Sequence, residues 1–173
     1  TNSINKKNNE IMTTTPISLD EIYSIAKNTL INNGCDNLNA EAVSKTVTYA
    51  ERDGSVSHGL FRIPGYVAAL RSKKVKGNSK PTKKNLTQNA IQIDGDYGFA
   101  PMAIQIGIPE LVKVTKNHGV GVLTIKNTHH FAALWHETEA LAENELIGIA
   151  CTAYMPSVAP AGAIKPLFGT NPI

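Results

Sequence analysis

Ser57-His58, with Arg62 four residues further on, is the segment of this sequence best equipped for chemistry. An imidazole is the one side chain whose ordinary pKa suits proton transfer near neutral pH. An arginine offers a planar fork that matches a carboxylate. If the stretch is helical, His58 and Arg62 share a face. A proton donor beside a carboxylate clamp is what reduction of a 2-oxo or 2-imino acid requires, because hydride reaches carbon while a proton must reach oxygen or nitrogen. By residue type alone, a structural loop histidine beside a surface arginine is the plainer reading of the pair. A hydrolase reading of Ser57-His58 ranks low. Adjacent residues rarely place a hydroxyl and an imidazole in nucleophile–base geometry, and no GxSxG elbow is present.

Thr128-His129-His130-Phe131 lies between an expected strand and an expected helix. Unpaired amides at a helix N-terminus favour an anion such as a nucleotide phosphate, to which two histidines would add charge. The alternative is a histidine pair that merely caps a helix. His136-Glu137 begins like HExxH but has Ala140 where the second histidine belongs, and adjacent histidines match no usual ligand spacing, so no metal site is expected. Cys35 and Cys151 form no CxxC pattern and are expected to be reduced and partly buried.

The elements that must position these groups are legible from periodicity. Ser18-Leu-Asp-Glu21 is a capping box, followed by Ile22, Ile25, Ala26 and Leu30 at helical spacing. A second helix is expected from near Asn39 to Gly54, with Val43, Thr46, Val47 and Ala50 on one face. Pro64 suits the first turn of a third, running to about Arg71. Residues 73–84 hold six lysines among Gly, Pro, Asn and Ser and predict a solvated loop. The pattern then changes to a strand at 90–93, the turn-rich DGDYG, a helix over 101–118 that Pro109 kinks or restarts, a strand at 120–126, a helix at 132–144 and a strand at 146–152. The loop 154–172 carries Pro156, Pro160, Pro166 and Pro172, and its Gly169-Thr170-Asn171-Pro172 reads as a rigid binding loop or a turn.

The expected fold class is therefore α/β: an N-terminal helical segment followed by a β-α-β-α-β unit with a parallel sheet. Residues 1–17 are expected to form a disordered tail, 18–89 a helical substrate-side region and 90–173 an incomplete α/β cofactor-binding region. No GxGxxG follows any expected strand, so any nucleotide binds in a non-Rossmann arrangement.

The 173 residues, 42% of them apolar, suit a domain with a real core. A formal charge of +3 is too mild to imply nucleic acid, and no interleaved aromatics accompany the lysines. There is no apolar run of membrane-spanning length and no secretory signal, so a cytoplasmic protein is expected. The chain opens on Thr1 whereas Met12 is a more natural start, and it stops directly after FGTNP, which predicts a partial chain.

Taken in order, SHGLFRIPGYVAALRS (57–72), DGDYGFAPMAIQIGIPELV (94–112), NTHHFAALW (127–135), CTAYMPSVAPAG (151–162) and PLFGTNP (166–172) resemble the malate/L-lactate dehydrogenase-like oxidoreductases from about Met12 onward. The resemblance implies an NAD- or NADP-dependent enzyme of non-Rossmann fold, homodimeric when complete. It implies His58 as proton donor, Ser57 in its relay, Arg62 and Thr170 at the substrate, and His130, Phe131, Ala132, Ala133 and Leu134 against the cofactor. The family's relay Asp and closing segments would lie beyond Ile173. Two departures are His136 in place of an expected Pro and Ala163 where a second Gly is common.

Ala132-Ala133-Leu134-Trp135, in place of a Gly-rich run, and the TAYMPSVAPAG loop bring the resemblance nearest to reductases of cyclic 2-imino acids, Δ1-piperideine-2-carboxylate and Δ1-pyrroline-2-carboxylate. NADPH is the expected cofactor and NADH its alternative. The other readings are a malate- or lactate-type 2-hydroxy acid dehydrogenase and a non-catalytic fragment or degenerate nucleotide-binding module, inactive by itself.

Overall fold

The computed structural model describes residues 16–173, so most of the expected N-terminal tail lies outside the described residues. Helix α1 spans Leu19–Ile31. Its capping box is formed: the Glu21 N–H donates to Ser18 Oγ at 3.2 Å, and the Ser18 N–H donates to Glu21 Oε2 at 2.7 Å. Ile22, Ala26 and Leu30 are buried at a spacing of four. Ile25, expected on that face, is 48% exposed.

Helix α2 spans Asn37–Arg52, two residues ahead of the expected start, because Asp36 is its cap and accepts from the Asn39 N–H at 2.9 Å. Two short 3-10 turns, Val56–His58 and Leu60–Arg62, lead into helix α3, Ile63–Arg71, with Pro64 in its first turn. The three helices and Phe99 enclose one apolar core that includes Leu30, Val43, Val47, Ile63 and Tyr66.

The sheet has the order β1-β2-β3, with β1 Thr82–Asn85, β2 Ala90–Phe99 and β3 Val122–His129. The lysine-rich stretch is thus not loop throughout. Its end is an exposed edge strand antiparallel to β2, and lysines on such an edge discourage further pairing. Strand β2 does not stop at residue 93. Asp96 and Tyr97 take left-handed backbone angles (φ 51° and 58°), absorb a bulge, and let Gly98 and Phe99 resume pairing with Thr128 and His129 of β3. Helix α4, Ala100–His118, connects the parallel pair β2 and β3 and runs unbroken through Pro109. Gly119, at φ 78°, closes it in the left-handed conformation that glycine adopts without strain.

Helix α5 is Trp135–Ala142, shorter than the expected 132–144 at both ends. Residues 130–134 form an irregular passage, and His130 sits at φ 54°. The expected third strand at 146–152 is not formed. Its residues alternate in exposure as a strand does, yet they pair with no other strand among the described residues, and Ile147 and Ile149 are 99% and 84% exposed. The observed unit is β-α-β followed by α5, not β-α-β-α-β. Beyond it, 152–172 folds back on itself through an isolated bridge between Val158 and Phe168. No helix among the described residues is long and apolar enough to cross a membrane.

Candidate active site

The Ser57–Arg62 turn is shaped from beneath by α2. The Glu51 carboxylate accepts from the Leu60 N–H at 2.7 Å, and a β-carbon at residue 59 would push the Glu51 side chain out of that position. This sharp passage ends one 3-10 turn at His58 and begins another at Leu60.

His58 Nδ1 lies 3.0 Å from Ser57 Oγ and 3.4 Å from Ser55 Oγ. Arg62 donates from Nε to the Ser57 carbonyl at 2.7 Å, so its guanidinium is tethered at one edge while Nη1 and Nη2 meet no partner among the described residues. The tether and the free fork together present an anion-binding edge next to His58.

The His130 ring stacks toward His58 with centroids 6.4 Å apart and planes at 29°. Its Nδ1 is 3.0 Å from the Tyr66 hydroxyl. Tyr66 packs edge-on against Phe99 at 5.0 Å, and Phe99 against His129 at 6.0 Å. Trp135 closes the other side of His58, edge-on at 6.4 Å. His58 and His130, 72 positions apart in sequence, thus face one another across a space edged by Arg62 and walled by Trp135.

Electrostatics follow from burial and from Arg62. Burial first, and the Arg62 charge second, hold His58 below its ordinary value of 6.5. Burial, then Arg62, His129 and His58, take His130 down to about 4, so its imidazole is neutral at pH 7. Burial pushes the Tyr66 phenol up to about 12, against a smaller opposing effect of Arg62.

The structure thus gathers Ser57, His58, Arg62 and His130. Thr170 is exposed, and the hydrogen bonds of its loop run within residues 152–172: Thr152 to Pro172, Tyr154 to Asn171, and Ser157 to Phe168. None joins it to His58 or Arg62 among the described residues. Phe131, Ala132 and Leu134 are half-buried and Ala133 is buried in the passage before α5. The N-cap residue of α5, Leu134, makes no side-chain cap; in the first turn the His136 N–H reaches the Ala133 carbonyl at 3.4 Å and the Glu137 N–H its own carboxyl.

A separate cavity of about 310 Å³ lies between α2, α4 and α5, lined by Thr46, Tyr49, Ile104, Ala132, His136 and Glu137 among others. It contains none of Ser57, His58 and Arg62.

Sequence reasoning gave no role to Tyr66 and did not place Trp135 beside His58. Tyr66 follows Arg62 by four, the same helical spacing that links His58 to Arg62, and that was the available signal. Among the described residues no cluster of three or more His, Cys, Asp and Glu is placed to hold a metal ion. Both cysteines are free, but Cys151 is exposed rather than partly buried.

The fold is shared with solved dehydrogenases. The chain superposes on malate dehydrogenase from Entamoeba histolytica with a TM-score of 0.84 at 28% identity, over 92% of this chain and 44% of that one. Sulfolactate dehydrogenase from Methanocaldococcus jannaschii matches with a TM-score of 0.83 at 26% identity, over 90% and 45% of the two chains. The family model described as malate/L-lactate dehydrogenase matches residues 17–173, and the chain belongs to that family.

Curated relatives include Delta(1)-pyrroline-2-carboxylate reductase 2 of Burkholderia multivorans, 38% identical over 91% of this chain and 46% of that protein. Another is the Delta(1)-pyrroline-2-carboxylate/Delta(1)-piperideine-2-carboxylate reductase of Pseudomonas putida, also 38% identical over 91% and 46%. The chain spans slightly less than half the length of these relatives.

Proposed function

We propose that the complete protein is an oxidoreductase that reduces a small cyclic 2-imino acid, Δ1-pyrroline-2-carboxylate or Δ1-piperideine-2-carboxylate, with NADPH, or NADH in its place. The observation that carries this reading is His58 beside the free fork of Arg62, in a chain whose relatives bear the names of reductases for those two imino acids. Arg62 receives the substrate carboxylate. His58 delivers a proton to the imine nitrogen, and Ser57 holds Nδ1 so that Nε2 is turned to the substrate. A nicotinamide, when bound, supplies hydride to the imine carbon.

As a donor, His58 must first carry a proton, which burial and Arg62 both oppose. A carboxylate on Arg62 offsets the second cause, so substrate capture and arming of the acid go together. The residues present fit a nicotinamide nucleotide. The start of α5 has no side-chain cap from the residue before it, and His130 to Leu134 lead into it, although Glu137 in its first turn must be protonated or turned aside for a phosphate to bind there. On this reading residues 18–89 form the substrate side and 90–173 the cofactor side of a non-Rossmann, cytoplasmic homodimer. Thr170 reaches the substrate only when the rest of the family's length is present, so residues 1–173 alone are expected to show no turnover.

The experiment is a comparison of kcat/KM for the two imino acids, oxaloacetate and pyruvate, with NADPH and NADH, using the family-length protein. A cyclic imine brings one carboxylate for one Arg and an apolar ring for Leu60 and Phe61. A second carboxylate left unpaired there costs on the order of 1–3 kcal/mol. Preference for oxaloacetate or pyruvate would instead support the 2-hydroxy acid dehydrogenase reading, which the solved malate and sulfolactate dehydrogenases favour.

A further inference from the structure

We propose that Tyr66 is a positioning residue that fixes the His130 ring with its proton on Nε2, making His130 a permanent neutral N–H donor to an oxygen acceptor of a ligand bound beside His58 and Arg62. The inference rests on the proposed location of the active site but reaches a residue with no role in that reading. It starts from geometry. Tyr66 sits in α3, one helical turn beyond Arg62, with 4% exposure and its ring against Phe99. Its hydroxyl meets His130 Nδ1 at 3.0 Å across 64 residues of sequence.

The Tyr66 hydroxyl has no hydrogen-bond partner besides His130 Nδ1 among the described residues, so its one buried O–H is satisfied only by donating there, and burial keeps the phenol from ionising. Nδ1 therefore accepts, and a neutral imidazole that accepts at one nitrogen carries its proton on the other. Burial first, then Arg62 of the second 3-10 turn, His129 of β3 and His58 of the first 3-10 turn, oppose a second proton on the ring.

Nε2 lies on the side of the ring away from Tyr66, and among the described residues it has no partner. His130 also holds a left-handed backbone angle, φ 54°, that a β-carbon resists and that surrounding structure must enforce. A strained histidine with one nitrogen clamped and the other offered is arranged as a donor. The oxygen it serves belongs either to the substrate carboxylate or to the nicotinamide carboxamide, whose acceptor chemistry is the same.

The test uses the family-length protein labelled with ¹⁵N-histidine, with the His130 signals assigned through His130→Gln. Wild-type His130 is expected as the Nε2-protonated tautomer at pH 7.5, and Tyr66→Phe is expected to give a mixture of tautomers. Tyr66→Phe should also raise one Michaelis constant by about tenfold, the loss of roughly one hydrogen bond. A rise confined to the imino acid assigns the oxygen to the substrate carboxylate, and one confined to NADPH assigns it to the carboxamide.

In the His130→Gln background, Tyr66→Phe should have little further kinetic effect. A wild-type Nδ1-protonated tautomer, or Tyr66→Phe kinetics unchanged in kcat and both Michaelis constants, would overturn the proposal. Absence of imine reduction by the wild-type protein would sink the proposed substrate and leave the tautomer result standing.

Discussion

The indole N–H of Trp135 donates to the Asp53 carboxylate at 2.9 Å and ties the first turn of α5 to the C-terminal cap of α2, 82 residues away. Arg52 reinforces the junction, reaching Asp53 at 2.7 Å and Glu139 at 3.3 Å. Because Trp135 also packs edge-on against His58, this link sets the distance between His58 and the 130–134 passage. Trp135 is the only tryptophan of residues 1–173, so in a family-length protein with any tryptophan outside these residues replaced by phenylalanine its fluorescence reports that passage. Binding of NADPH to the complete enzyme is expected to change Trp135 emission beyond inner-filter absorption, and Asp53→Asn to weaken the response. Emission that stays constant through saturation with cofactor would remove the passage from the binding site.

His58→Ala deletes the group assigned to proton delivery. The expected loss in kcat is about 10²-fold or more, with a smaller change in KM. Stopped-flow NADPH oxidation at neutral pH measures it, and near-wild-type kcat would dismiss the assignment.

Arg62→Ala removes both the proposed carboxylate clamp and a positive neighbour of His58. Substrate capture should weaken by about 2–5 kcal/mol if the carboxylate is desolvated when bound. Because Arg62 lowers the His58 pKa, the same substitution should move that pKa upward in the free enzyme. A histidine NMR titration reads the second effect independently of turnover. A His58 midpoint that does not move, or moves down, contradicts the electrostatic link between the two residues.

Stability should respond to pH through two opposed groups. His130 titrates near 4 when folded and near 6.5 when unfolded, so its neutral burial stabilises the fold above about 6.5 and is lost as pH falls towards 4. Glu137 behaves in the reverse sense. Burial raises its carboxyl from 4.5 to about 7, and its Oε2 has no partner among the described residues. The fold is unpenalised below about 4.5 and loses stability as pH rises to 7. Glu137→Gln should therefore unfold at higher urea than wild type at pH 8, by on the order of 2 kcal/mol, with the gain gone at pH 4. An equal difference at both pH values would rule out Glu137 ionisation as its source.

Much of the helical framework was legible because its causes are local. Ser18 and Glu21 exchange bonds within one turn, Ile22, Ala26 and Leu30 recur at the helical period, and Gly119 suits a helix end wherever it occurs. Strand limits were not legible, since a strand is completed by its neighbour. Asp94-Gly95-Asp96-Tyr97-Gly98 has the composition of a turn, yet β3 supplies partners that carry β2 through it to Phe99. The segment 146–152 has the composition of a buried strand, yet nothing among the described residues pairs with it, and Ile147 and Ile149 face solvent.

Residue type and spacing alone nominated Ser57, His58 and Arg62, because a proton donor and an anion clamp are properties of side chains and their separation is five residues of chain. They also nominated His129-His130 from a strand-to-helix junction. Which of the two histidines turns towards His58 and which residue clamps it were decided only by tertiary structure. Tyr66 and His130 are 64 residues apart, and no local rule relates them. They meet because the α1–α3 core buries the Tyr66 ring on Phe99 while the parallel pairing of β2 and β3 delivers His129 beside the same phenylalanine. Long-range contact of this kind follows from which apolar surfaces pack together, and packing is a property of the whole chain.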